Sequence, residues 1–232
     1  MTDAGARRSV FWPTLLAGLG LAVLLGLGTW QLQRLAWKEA LIAEIVARRA
    51  AEPLASLPRT MDPALEFRRA SLAGRFLHDK EMRLQSRTRA GRPGVELVTP
   101  LALADGSVVL VNRGWVPTEK AAPEARPETR TEGEVRVDGL VRVGERLGWA
   151  TPANRPNDGL WFAADPAAIA AFAGLDAVPY LVVMEGEGAA LPRPRAPAAL
   201  PPNDHLSYAV TWYALAGALA VVYVLAIRRM RR

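Results

Sequence analysis

Two long apolar runs frame the chain. No charged residue occurs from Ser9 to Gln33 or from Leu206 to Ile227, runs of 25 and 22 residues. At about 1.5 Å of rise per residue, roughly 20 apolar residues in a helix cross a hydrocarbon core of about 30 Å. The runs therefore predict membrane-spanning helices over residues 11–32 and 203–227. Trp12 and Trp30 stand 18 residues apart, about 27 Å along a helix, which is the placement of two interfacial anchors. Gly18, Ala22 and Gly26 recur every four residues and predict a small-residue stripe for close helix approach, matched by Ala214 and Ala218 on the second run. Helical spacing continues beyond the first run through Leu32, Leu35, Leu41, Ile42, Ile45 and Val46, with Lys38, Glu39, Arg48 and Arg49 interleaved. The helix is expected to leave the membrane and to stop before Pro53 and Pro58.

From Phe67 onward the period changes to two. Ala70, Leu72, Gly74 and Phe76 alternate with polar or small residues, as do Met82 and Leu84, and each set predicts a strand. Glu96–Ala104 and Ser107–Arg113 flank Asp105-Gly106, whose glycine suits the positive φ of a two-residue hairpin turn. Pro100 within that hairpin predicts a bulge or an edge position. Further strands are expected over Val135–Val143, Leu160–Ala163 and Tyr180–Met184, with a short helix capped by Asp165-Pro166 and running to Phe172. Leu191–Pro202 contains five prolines and predicts an extended linker back to the membrane. The fold class that follows is an α+β membrane protein, with two transmembrane helices flanking a mostly antiparallel β domain over residues 33–202.

Charge placement sets the expected topology. Of the formal net charge of +6, Arg228, Arg229, Arg231 and Arg232 supply four, directly after the second run, while Arg7 and Arg8 precede the first. A nucleic-acid binder carries its basic stripe on a folded surface. Short basic flanks outside two spans instead follow the positive-inside pattern. Residues 1–10 and 228–232 are thus expected in the cytoplasm and the domain across the membrane, in a bacterial periplasm or an equivalent compartment. A cleaved signal peptide is the alternative for the first run, with Arg7 and Arg8 as its basic region and Gly26-Leu27-Gly28 as its cleavage site. Against it, the apolar segment continues into Leu35 without a turn signal. The chain has no cysteine, which removes disulfides, thiolate zinc sites, C-x-x-C redox centres, covalent c-type haem attachment and thiolate copper sites.

Candidate chemistry is sparse. There is no Ser-His-Asp set, paired-acid spacing, zinc-protease motif or phosphate-cradling loop. The chain has two histidines. His78 lies in an expected turn between strands, where a polar residue is ordinary. His205 stands at the entry of the second span, with Tyr208, Ala209 and Trp212 at i+3, i+4 and i+7 on the same helical face. An imidazole there, beside aromatics and a small residue, suits an axial ligand for a flat apolar macrocycle holding iron; the plainer reading is a helix-start residue at the headgroups. Arg34, just beyond the first span, suits propionates or lipid phosphates. Arg113 and Trp115 end the strongest strand and either bind a ligand or pack. The methionines do not cluster, so a copper chaperone fits badly.

Three stretches can be read together: Leu27-Gly28-Thr29-Trp30-Gln31 followed by Arg34, Trp37 and Lys38; Val111-Asn112-Arg113-Gly114-Trp115-Val116-Pro117; and Asn203-Asp204-His205 through Trp212-Tyr213. In this order, at two membrane junctions and mid-domain, they resemble the surfeit-locus-one family of cytochrome c oxidase assembly proteins. The resemblance covers nearly the whole chain. It implies a non-enzymatic inner-membrane assembly factor of the respiratory chain, with both termini cytoplasmic, that binds haem a transiently and assists its insertion into the oxidase catalytic subunit. His205 occupies the position of the proposed iron ligand and Trp212 that of its aromatic neighbour. Tyr208 and Arg34 join them as expected cofactor contacts, and Trp30, Gln31, Arg113 and Trp115 are secondary candidates within the motifs. The implied partners are the catalytic subunit, haem a synthase, the lipid bilayer and a possible second copy of the chain, with no nucleic acid. The alternative is a scaffold that stabilises an assembly intermediate or the synthase and touches no haem.

Overall fold

The computed structural model describes residues 10–145, 148–149, 151–197 and 199–230. Arg7, Arg8, Arg231 and Arg232, on which much of the topology expectation rests, lie outside the described residues. Among the described residues there are three α-helices: α1 (Phe11–Ala50), α2 (Pro166–Ala173) and α3 (His205–Met230). Six strands accompany them: β1 (Arg69–Phe76), β2 (Met82–Arg89), β3 (Arg92–Leu103), β4 (Val108–Pro117), β5 (Val135–Arg142) and β6 (Ala177–Met184). The chain divides into two units. One holds α1 as far as Glu44 together with the segment from Leu200, and the other holds Ile45–Ala199.

In the helical unit, α1 and α3 have 40 and 26 residues and are long and apolar enough to cross a membrane. Leu32 through Val46 do continue the first helix, which ends three residues before Pro53. The two helices meet along a face set by Gly20 and Gly28, eight residues apart and therefore about two turns apart on one side of α1. A Cβ at Gly28 would lie 2.9 Å from the Tyr213 ring, and one at Gly20 would lie 3.1 Å from Leu219. Thr29 and Tyr213 join hydroxyls at 3.1 Å, and Thr14 and Tyr223 at 2.7 Å. On α3 the buried small residues are Ala209 and Ala216.

The expected stripe of Gly18, Ala22 and Gly26 is thus corrected: nothing lies within 4 Å of a Cβ at Gly18 or Gly26, and Ala22, Ala214 and Ala218 are exposed. Two glycine sets interleave on α1, and local spacing cannot say which one meets a partner; the bulk of the Tyr213 ring, which needs a missing Cβ opposite it, selects Gly28. Gly28→Leu should separate the helices, whereas Gly26→Leu should not. Because the chain is cysteine-free, bismaleimide cross-linking of cysteines introduced at Thr14 and Tyr223, whose side-chain ends meet across the helices, reads this in the full-length protein. Equal cross-linking in both leucine variants would refute the assigned face.

The second unit is a barrel-like mixed sheet. Strand order is β1-β5-β6-β4-β3-β2, and a further β1–β3 pairing closes the first five named into a ring. All pairings are antiparallel except β4–β6. The parallel pair needs a crossover, supplied by the long path through β5 and α2, and alternation within each strand could not foresee it. Val109 and Val111 of β4 enter one apolar cluster with Leu72, Leu101, Tyr180 and Val182. Leu110 enters another with Leu84, Trp161, Ile169 and Leu181. Both faces of β4 are buried, which explains its unbroken apolar run.

The β3–β4 hairpin forms as expected, but its loop is Ala104-Asp105-Gly106 rather than two residues. Leu103 bonds Ser107, and Gly106, at φ +80°, donates to the Leu103 carbonyl. Asp105 accepts from the Ser107 amide, a side-chain bond that lengthens the preferred loop. Pro100 sits where the neighbour of β3 changes from β2, which ends its pairing at Val98, to β1, which begins at Leu101. Its carbonyl accepts from Leu77, so its missing N–H falls in that gap and no ladder bond is lost. The expected strand at Leu160–Ala163 is reduced to two isolated bridges, Leu160 with Arg155 and Trp161 with Leu84 of β2. Asn154 instead satisfies the backbone of Phe162 and Ala163, while Trp161 anchors the segment in the core. The helix starting at Pro166 is capped by Asp165, which accepts from Ala167 and Ala168.

The proline-rich return segment is extended but tied to the sheet. Arg193 exchanges both backbone hydrogen bonds with Trp115, and Arg195 bonds Met184 and Gly186. Gly114 permits this contact. Its φ is +121°, and a Cβ there would meet the Arg193 carbonyl oxygen at 2.0 Å.

Candidate functional site

His205 is the first residue of α3 and is half-buried. Its Nδ1 lies 2.7 Å from Oε1 of Gln31 on α1. An amide oxygen only accepts, so Nδ1 carries the proton and donates. That tautomer leaves the Nε2 lone pair available for a metal. One turn further along α3, Ala209 is buried against the helix seam, and Trp212 is half-buried two turns on. Tyr208 projects with 57% of its surface exposed. On α1, Trp30 is half exposed, and Arg34 stands one turn past Gln31 with its guanidinium 4.2 Å from the Trp37 ring centre. The helical unit therefore carries the Gln31–His205 pair, the aromatic residues Trp30, Tyr208 and Trp212, and Arg34 stacked on Trp37.

The contact that sequence reasoning missed is the one between Gln31 and His205. The two residues stand 174 positions apart, and only their common place at the end of an uncharged run hinted at a meeting. The hydroxyl pairs of Thr14 and Thr29 with tyrosines of α3 were likewise invisible before the helices were placed together.

Arg113 and Trp115 belong to the other unit and are built into its packing. Arg113 is buried, bonds Glu81 and the Thr129 carbonyl, and stacks over Phe76. Trp115 is buried, with its Nε1 donating to the Arg87 carbonyl. Glu81 accepts from Arg113, Arg126 and Thr99 at once, tying the loop after β4 to the barrel. His78 donates from Nε2 to the Thr131 carbonyl. Burial, joined by the charge of Arg113, holds its pKa below the ordinary value against the opposing pull of that bond.

A second ionic group pins the return segment. Arg195 bridges Glu96 and Glu145, and Arg87 reaches both carboxylates. Burial alone would raise the pKa of each acid, but their bonds to Arg195 and the nearby Arg87 charge outweigh it and hold both below the usual carboxylate value. These acids stay ionised at neutral pH, as structural ion-pair partners rather than proton donors. Glu145 and Arg87 line a cavity of about 880 Å³, together with Arg142, Glu66 and Phe162.

Comparison with known proteins bears on most of the chain. A model described as the SURF1 family matches residues 19–217, a range that includes both Gln31 and His205. A SURF1-like protein of Monosiga brevicollis is 37% identical over 217 residues, covering 87% of this chain and 82% of that one. Surfeit locus protein 1 of Rattus norvegicus is 35% identical over 221 residues, with 87% of this chain and 71% of that one covered. Surfeit locus protein 1 of Homo sapiens is 35% identical over 218 residues, with 85% and 72% covered.

Proposed function

We propose that the chain, which belongs to the SURF1 family, is a membrane assembly factor for a haem-copper cytochrome c oxidase. In this reading it binds haem a through His205 and assists its insertion into the catalytic subunit. The observation that carries the proposal is the Gln31–His205 contact at 2.7 Å, which leaves one imidazole nitrogen with its lone pair open. Haem a, when bound, supplies an iron that accepts an axial imidazole nitrogen and a large apolar ring.

The residues present fit that group. His205 offers Nε2, Trp212 and Tyr208 offer aromatic surface on the same helical face, and Arg34 offers a fork for a propionate. α1 and α3 would hold this site at a bilayer surface, where an apolar ring stays out of water while it changes hands. A single protein ligand suits a carrier, because the ring must leave again. In this reading both termini are cytoplasmic and the barrel lies outside, in a bacterial inner membrane or its mitochondrial counterpart, and the basic flanks of the sequence support it. The catalytic subunit and haem a synthase are the partners this role requires, and an association of two copies would supply a second ligand.

Purification of the full-length chain from cells that make haem a tests the reading. A Soret band and extractable haem a in about stoichiometric amount are expected. A colourless protein that still co-purifies with an oxidase subunit or with the synthase would replace the carrier reading with that of a scaffold.

A further inference from the structure

We infer that Gln31 is the positioning residue for His205, setting both the tautomer and the donor strength of the nitrogen that faces the iron. The inference rests on the ligand reading of His205 and extends it to a residue on the other helix.

Neutral imidazole has two tautomers of similar energy, and a ring at a helix start can rotate freely. An acceptor on Nδ1 removes both freedoms. It retains the proton on Nδ1, points Nε2 the opposite way, and makes Nε2 the more basic as the Nδ1–H bond strengthens. Gln31 does this from α1, at a contact of 2.7 Å. Its location is built rather than incidental. Gln31 lies one turn beyond Gly28, where the missing Cβ admits the Tyr213 ring, and Ala209, one turn into α3 from His205, is buried at the same seam. The glycine approach brings the middle of α1 and the start of α3 close enough for a side-chain amide to span them. Both polar groups sit next to an apolar segment, where an unpaired N–H or C=O is costly, so each is held by the other. Arg34 follows Gln31 by one turn, which puts a positioning amide and a candidate propionate partner on one side of α1.

The test uses full-length protein in detergent micelles, titrated with haem a and followed by absorption and by redox titration of the bound iron. Gln31→Leu removes the acceptor. It should lower haem a affinity by about 10- to 100-fold and raise the midpoint potential, because a weaker imidazole donor stabilises ferric iron less. Gln31→Glu provides a stronger acceptor, and should restore most of the affinity while moving the potential below that of the wild type. An opposite ordering of the two variants would overturn the inference, and so would an affinity loss in both with no change of potential, since a purely structural contact predicts that. Cross-linking between cysteines at Thr14 and Tyr223 reports whether the helices stay packed; if Gln31→Leu fails to assemble, the potential of Gln31→Glu decides alone. His205→Ala run in parallel separates the two claims. Undiminished haem a in that variant would defeat the ligand reading itself, whereas haem loss there beside wild-type affinity and potential in both Gln31 variants would defeat the role of Gln31 only.

Discussion

His205→Ala is expected to strip most of the haem a from the full-length protein while leaving its abundance in the membrane and its barrel intact. The residue is at the start of α3, outside the β-sheet unit, so its loss removes no core packing there. What it removes is the imidazole proposed as the axial ligand, and loss of an iron bond should weaken binding more than loss of a stacking contact. Trp212→Phe should accordingly retain more haem than His205→Ala, because a phenyl ring keeps much of the apolar surface. Arg34→Ala should lower affinity with little change in the spectrum, since its guanidinium would meet the edge of the ring system and not the metal. Haem extraction and optical spectra of the four proteins decide the matter. Haem a at wild-type level in His205→Ala would remove the ligand assignment and leave the assembly role standing on family membership.

The barrel should fail at Glu81. Its side chain is 6% exposed and is shared by Arg113 and Arg126, whose side chains are 6% and 3% exposed. Removing a buried ion-pair partner typically costs about 3–5 kcal/mol because the charge left behind remains desolvated, and here two guanidinium groups would be left. Glu81→Ala is therefore expected to lower the unfolding midpoint of the domain by on the order of 10 °C. Glu81→Gln preserves shape and most hydrogen bonds, so most of the loss should persist in it if charge is the cause. Glu124→Ala, an exposed residue on the same loop, should stay within about 0.5 kcal/mol. Thermal unfolding of the full-length variants, followed by the tryptophan signal of the barrel, measures this. A loss under about 1 kcal/mol for Glu81→Ala would show that the loop is anchored by something other than this carboxylate.

Much of the architecture was legible because it follows from local periodicity. Uncharged runs long enough to span a membrane, the helix that continues to Ala50, the hairpin around Gly106 and the capped helix at Pro166 each depend on residues close in sequence. The candidate ligand was legible as well, since a histidine at the end of an apolar run is conspicuous and the motif around it resembles a known family. The expected strand at Leu160–Ala163 stops after bridges at Leu160 and Trp161, because Asn154 takes the backbone bonds of Phe162 and Ala163 that a strand partner would have used. Nor did the prolines of Leu191–Pro202 indicate that Arg193 and Arg195 pair with the sheet, a contact that Gly114 allows by lacking a side chain.

By itself, then, the sequence determined which segments are apolar enough for a bilayer, where alternation makes strands, and which imidazole stands at the edge of an apolar run. Only the tertiary structure decided which face of α1 meets α3, that Gly28 rather than Gly26 receives an aromatic ring, that β4 and β6 run parallel, and that Gln31 holds the Nδ1 of His205. The division has one physical cause. Periodicity and capping are encoded within a few residues, whereas helix faces, strand neighbours and hydrogen bonds across 174 positions are chosen by side-chain bulk and polar satisfaction after distant segments pack.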